Sequence, residues 1–204
     1  TKMRQEFFSN VSHELKTPMT SIRGYSELLQ TGMIDDPKAR KQALDKIQKE
    51  VDQMSSLISD ILMISRLENK DIEVIQHPVH LQPIVDDILE SLKVEIEKKE
   101  IKVTCDLTPQ TYLANHQHIQ QLMNNLINNA VKYNKEGGWV RISINTDHKY
   151  FYVKVEDNGI GIPKEDQEHI FERFYRVDKS HSREIGGTGL GLAIARSGIL
   201  MHHG

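Results

Sequence analysis

Apolar residues in the first third of the chain recur at Phe8, Val11, Leu15, Pro18, Ile22, Tyr25 and Leu29, separated alternately by three and four positions. That is a heptad seam, and it predicts one long helix burying a single stripe. In TGMIDDPKAR, Gly32 ends this helix, Asp36 caps a second and Pro37 suits its first turn. The second helix repeats the seam through Leu44, Ile47, Val51, Met54, Ile58 and Ile61. Two long helices joined by a short turn form an antiparallel hairpin. One hairpin buries one face of each helix, so two of them are expected to pair as a homodimeric four-helix bundle.

The helical period stops in ENKDIEVIQHPVH, which reads as a connector. Beyond it the pattern predicts a helix (LQPIVDDILESLKVEIEKK), short strands (IKVTCDL and TYLA), a helix (HIQQLMNNLINNAVKY) and a strand pair (WVRISINTD and YFYVKVED). From Asn158 to Gly187 the chain is polar and rich in glycine and charge without convincing period, roughly 30 residues, a length usual for a lid or a disordered loop. A last helix is expected from about Gly189 to Met201. The expected fold class is α+β, with a helical hairpin over 1–70, a linker over 71–79 and an α/β domain over 80–204.

Composition narrows the function classes. A net charge of −3 leaves no electrostatic footprint for nucleic acid. The single cysteine, Cys105, excludes an intrachain disulfide framework and fits a reducing compartment. No run approaches about 18 apolar residues, the length that would span a bilayer. Thr1 to Asn10 is polar and helical in character, without a signal-peptide pattern. A chain that begins inside an element is expected to be part of a longer one.

Candidate chemistry starts in FFSNVSHELKTPMT. With Phe8 and Leu15 at heptad position a, His13 falls at position f, opposite the seam and in solvent. Thr17 lies one turn on, on the same face, and Glu14 is adjacent around the helix. Phase alone describes an ordinary solvated face. Pro18 shifts the balance, because an interior proline costs roughly 3 kcal/mol and removes the hydrogen bond to the Glu14 carbonyl. A kink there is expected to loosen the backbone beside His13.

SHELKTPMTSI resembles the phosphoacceptor box of sensor histidine kinases, whose motif is His-Glu-x-x-Thr-Pro. Four later stretches resemble that family's ATP-binding motifs in order: NLINNAVKY the asparagine box, DNGIGI the first glycine box, FERFYR the phenylalanine box and GGTGLGL the second glycine box. A dinucleotide-fold reading of Gly187 to Gly191 fails because no strand precedes it, and there is no GK[ST] phosphate loop. The resemblance implies a GHKL (Bergerat) α/β sandwich after the hairpin, ATP and Mg²⁺ as cofactors, and a response regulator as partner.

It assigns catalysis to His13, Glu14 and Thr17, and nucleotide binding to Asn125, Asn129, Lys132, Tyr133, Asp157, Gly159, Gly161, Ile162, Phe174, Tyr175, Arg176, Gly187, Thr188, Gly189, Leu190 and Gly191. Helical phase supports part of this, since it groups Asn125, Asn129, Lys132 and Tyr133 on one flank and turns Asn124 and Asn128 toward solvent. By resemblance Asn129 is the magnesium ligand, a hard amide oxygen of the kind Mg²⁺ accepts. Asp157 would accept from the adenine exocyclic amine. Gly159 and Gly161 would let the backbone approach the base, and the helix after Gly191 would hold phosphate at its N-terminal amides. Arg173, Arg176, Lys179 and Arg183 are candidate phosphate contacts, and Phe171 and Phe174 candidate lid anchors.

The implied function is autophosphorylation of His13 from ATP and transfer to a regulator aspartate, with Thr17 serving a reverse, phosphatase activity. The competing readings are a GHKL ATPase and a pseudokinase scaffold. The family's usual charged residues ahead of the asparagine helix are replaced by Asn115, His116 and His118; Asn115 can still cap the helix, and the two histidines read as surface residues. The C-terminal MHHG, in which His203 matches a family histidine, lacks the usual final β hairpin. The expected location is the cytoplasmic side of a bacterial membrane, reached through segments outside this chain.

Overall fold

The computed structural model describes residues 2–68, 75–108, 111–177 and 187–202, with side chains from Arg4 onward. The expected phosphate contacts Lys179 and Arg183, connector residues 69–74 and His203 lie outside the described residues. Two compact units form, Thr1–Met63 with Arg173–Leu190, and Ile64–Glu172 with Gly191–Gly204.

The first unit is built on α1 (Lys2–Gln30) and α2 (Pro37–Glu68). Gly32 at φ +72° closes α1, and the Asp36 carboxylate accepts from the Ala39 amide at 2.9 Å to cap α2. The helix α1 runs unbroken through Pro18, whose ring is buried. Hydroxyls on either side bind carbonyls one turn back: Ser12 to Phe8 (2.8 Å), Thr17 to His13 (3.3 Å) and Thr20 to Lys16 (2.9 Å). Apolar burial of the ring offsets the lost backbone bond, and the expected loosening takes no form that ends the helix.

On α2 two apolar stripes separate. Ala43 and Leu57 are buried within the chain, whereas Leu44 (57% exposed), Val51, Ile58 and Leu62 stand in solvent. The heptad seam therefore carries more apolar surface than one hairpin covers.

The second unit holds a two-stranded antiparallel ribbon of β1 (His77–His80) with β3 (Thr111–Ala114), and a three-stranded sheet ordered β2 (Lys102–Asp106), β4 (Trp139–Thr146), β5 (Phe151–Asp157). The stretch read as a connector thus ends in a strand, His77 pairing with Ala114. Strands β2 and β4 are parallel, which demands a crossover, and α5 (His116–Lys132) supplies it. Val140, Ile142 and Ile144 of β4 are buried while Arg141 is exposed, so helices cover one face of the sheet. The core joins Val85 of α3 (Leu81–Ser91), Met123 and Ile127 of α5, and Ala195 of α6 (Gly191–Met201) to that face.

The single helix expected over 81–99 is two. It breaks at Leu92, and α4 spans Lys93–Lys98. Carrying the stripe Leu81, Ile84, Val85, Ile88 onward would turn Glu95 and Lys99 into the core. The break instead lets Lys99 reach the α5 C-terminus, where its ammonium donates to the Val131 (3.1 Å) and Lys132 (2.7 Å) carbonyls.

Candidate functional site

In the first unit His13 is exposed on α1, with Thr17 exposed one turn beyond. Glu14 is not free: its carboxylate accepts from the Arg176 guanidinium at 3.1 Å, and Arg176 is 10% exposed. The same guanidinium nitrogen donates to the Gly187 carbonyl. One buried cation therefore joins the residue beside His13 to the second glycine string. Phe174 packs its ring 5.7 Å from that of Phe7, and the Arg173 guanidinium lies 5.2 Å above Phe7.

Phe174 itself adopts φ +63°, and its amide donates to the Gly189 carbonyl at 2.8 Å. A Cβ on Gly189, which sits at φ +72°, would approach the Phe174 Cα to 2.9 Å, so glycine is required there twice over. Thr188 donates to the Asp60 carboxylate at 2.6 Å and accepts from the Leu190 amide at 3.2 Å. Asp60 is 8% exposed, and burial pushes its carboxyl above the usual range against the opposing pull of Thr188. Leu190 is fully buried. Sequence reasoning missed Asp60, although it stands three residues after Leu57 and four before Ile64, on the buried stripe of α2.

In the second unit the crossover brings the α5 C-terminus to the start of β4. Strand β5 runs back antiparallel, so that Asp157 pairs with Val140 at the same end of the sheet. Tyr133 and Asp157 therefore meet. The Ile160 amide donates to the Tyr133 carbonyl at 3.1 Å, and a Cβ on Gly159 would come within 2.3 Å of that oxygen. Asp157 is exposed and holds the Gly159 amide through Oδ1 at 2.9 Å, leaving its second oxygen for a ligand donor. Gly161 follows at φ +73° with Ile162 43% exposed.

Along α5, Asn125 donates to the Gly191 carbonyl at 2.8 Å and so ties α5 to the start of α6. Asn128 and Asn124 bond each other at 2.8 Å. The half-buried Asn129 amide makes no hydrogen bond among the described residues, which leaves its oxygen available as a hard ligand. Lys132 and Tyr133 follow at the helix end, both half-buried.

Asn115 caps α5 as expected, its Oδ1 accepting from the His118 amide at 3.1 Å. His118 is not the surface residue expected. Its Nδ1 is buried and has no hydrogen-bond partner among the described residues, and its ring lies 5.5 Å from that of His202. His202 accepts from the Asn115 amide (3.0 Å) through Nε2 and donates to the Gly198 carbonyl (2.8 Å) through Nδ1, which fixes its neutral tautomer. Burial, the larger cause, and the neighbouring His202 ring lower the His118 pKa.

The unfolded chain binds that proton at about 6.5, the folded chain only at lower pH, so stability contributed here falls as pH drops through this window. Thermal denaturation from about pH 7.5 to pH 5.5 is expected to show a falling Tm that His118→Gln flattens. An unchanged slope in the variant would remove His118 from the acid response.

Residues 3–70 match the His Kinase A (phospho-acceptor) domain, and residues 114–204 match the histidine kinase-, DNA gyrase B-, and HSP90-like ATPase. The chain is 38% identical over 205 residues to the sensor histidine kinase WalK of Bacillus subtilis (strain 168), covering 98% of this chain and 33% of that protein.

Among solved structures it is similar to the Acinetobacter baumannii histidine kinase AdeS (TM-score 0.74, 26% identity, 93% of this chain and 86% of that one). It shares the fold of the histidine kinase ThkA solved with its response regulator protein TrrA (TM-score 0.68, 24% identity, 84% and 50%). The chain belongs to the two-component sensor histidine kinases and comprises their catalytic core. It spans about a third of the length of the WalK relative.

Proposed function

We propose that this chain transfers the γ-phosphoryl group of ATP to His13 and then passes it to an aspartate of a response regulator. The observation that carries the reading is Arg176, whose guanidinium links Glu14, next to His13, to Gly187 of the second glycine string. The exposed, neutral imidazole of His13 attacks the γ-phosphorus. A phosphorus–nitrogen bond forms as the bond to the β,γ-bridging oxygen breaks, and ADP leaves with that electron pair. Glu14 holds the proton on the other ring nitrogen and stabilises the charge that develops there, through the carboxylate oxygen that Arg176 does not bind.

Asn129 is the residue to hold Mg²⁺, which when bound supplies charge neutralisation at the phosphates. Tyr133 and Asp157 orient the base, and the amides at the start of α6 face phosphate. A longer, membrane-anchored protein with this core on its cytoplasmic side fits the WalK relative, which is three times the length. The test is incubation with γ-labelled ATP and Mg²⁺, in which label that is acid-labile and base-stable identifies phosphohistidine.

A homodimer follows from the leftover stripe of Leu44, Val51, Ile58 and Leu62. Sedimentation at tens of micromolar is expected to give the dimer mass; a monomer would sink this part of the reading.

The same core is proposed to dephosphorylate its regulator. Thr17 is exposed on the His13 face, and among the described residues its hydroxyl is held only by the long 3.3 Å bond to the His13 carbonyl. When a phosphorylated regulator docks there, that hydroxyl can orient a water for attack on the aspartyl phosphate. Thr17→Ala is expected to keep autophosphorylation within about twofold while slowing dephosphorylation about 10-fold or more. Equal loss of both activities would make Thr17 a bracing residue of the proline turn.

A further inference from the structure

Each of the two residues proposed to orient the base is followed by an asparagine, and the two asparagines bind the backbone of one residue, Trp139, at its carbonyl and at its amide. Asn134, after Tyr133, donates through Nδ2 to the Trp139 carbonyl at 3.1 Å. Asn158, after Asp157, accepts through Oδ1 from the Trp139 amide at 2.7 Å. Trp139 opens β4, so its backbone is clamped on both sides at the sheet end where α5 finishes and β5 finishes.

The clamp is tight and leaves no slack. Asn134 is 7% exposed, one of two buried polar residues among those described, and its Oδ1 also accepts from the Lys135 amide at 2.9 Å. A Cβ on Gly138 would fall 2.0 Å from Asn134 Oδ1 and 3.0 Å from Asn158 Oδ1, so the two side chains close over a position that only glycine fits. Every polar atom of the arrangement that the fold buries is spent on geometry. Neither asparagine is assigned a role by the motifs as read.

Asp157 is placed by its pairing with Val140, and the Ile160 amide bonds the Tyr133 carbonyl; the clamp adds a side-chain tie at Trp139, the residue before Val140, between the segments that carry Tyr133 and Asp157. We infer that Asn134 and Asn158 are positioning residues for nucleotide recognition: by holding Trp139 between them they set the separation of Tyr133 and Asp157. Neither touches the base. Their effect falls on ground-state nucleotide binding and on base discrimination, while the transfer to His13, carried by other residues, proceeds once ATP is bound. The inference rests on the nucleotide site proposed above.

The experiment compares Asn158→Ala, Asn158→Asp, Asn158→Gln and Asp157→Ala in the full chain, measuring Kd for ATP and GTP and the rate of His13 labelling at saturating ATP. Asn158→Ala is expected to raise the ATP Kd about 5- to 10-fold, the scale of one lost hydrogen bond, and to narrow the preference for ATP over GTP. The saturated rate stays within about twofold. Asn158→Asp keeps an acceptor for the Trp139 amide at the same reach and restores binding to within about twofold.

Asn158→Gln keeps the amide but carries its oxygen one methylene too far, so it weakens binding as alanine does; it also decides the matter if the alanine variant does not fold. Normal ATP affinity in Asn158→Ala or Asn158→Gln, or an aspartate variant as weak as alanine, overturns the inference. If Asp157→Ala also binds ATP normally, it is the nucleotide site itself that has been misplaced.

Discussion

His13→Gln is expected to abolish labelling from γ-labelled ATP, a loss of more than about 10³-fold, the scale on which removal of a nucleophile acts. Glutamine retains a polar, helix-compatible side chain at an exposed position of α1, so the helix is not disturbed. Its amide nitrogen has no lone pair available for attack on phosphorus. Nucleotide binding belongs to other residues and should persist. ATP hydrolysis continuing at the wild-type rate in the unlabelled variant would favour a plain ATPase. Persistent acid-labile, base-stable label would place the acceptor on another histidine.

Asp157→Asn is expected to weaken ATP binding by about 1–3 kcal/mol, the cost of leaving a buried donor mismatched, or roughly 5- to 150-fold in Kd. The geometry makes the substitution more damaging than its size implies. One oxygen of Asp157 is already committed to the Gly159 amide at 2.9 Å. In the variant the asparagine oxygen stays with that amide, since the alternative sets donor against donor. Its NH₂ is then forced toward the adenine amine, another donor. GTP, with a carbonyl at that position, should lose less and may be measured in the same titration as the internal control. Unchanged ATP affinity removes Asp157 from the site.

The unbroken α1 shows where local rules met their limit. An interior proline removes one hydrogen bond wherever it occurs, here the one to the Glu14 carbonyl. Whether the helix ends there depends on the rest of the turn, and α1 stays helical from Lys2 to Gln30. Here the ring is buried, and Ser12, Thr17 and Thr20 back-bond the same stretch. The connector raised the same problem in reverse. His77–His80 has no strand period, and it becomes β1 because Thr111–Ala114 lies beside it.

The histidines and carboxylates divide the same way. His116 is exposed, as helical phase indicates, but His118 meets His202, 84 positions later, and loses its partner-bearing surface to that contact. Asp60 reads as a charge on a helix until Thr188 of the glycine string donates to it. Glu14 reads as a free base until Arg176 binds it.

What the sequence by itself determined is therefore the part governed by period and by motif. That part comprises the two long helices and their capped turn, the α/β order of the remaining elements, the leftover apolar stripe and the membership in the histidine kinase family. Hydrophobic spacing and turn chemistry act within a few residues, and a linear reading captures them. Only the tertiary structure decided that Arg176 holds Glu14, that Thr188 is bound by a buried carboxylate, that α1 survives its proline, and that two asparagines close on Trp139. Apart from the local back-bonds of α1, each of these depends on the free energy of contacts that bring together groups distant in the chain. Burial and the resulting low dielectric set that energy, and no property of either segment alone specifies it.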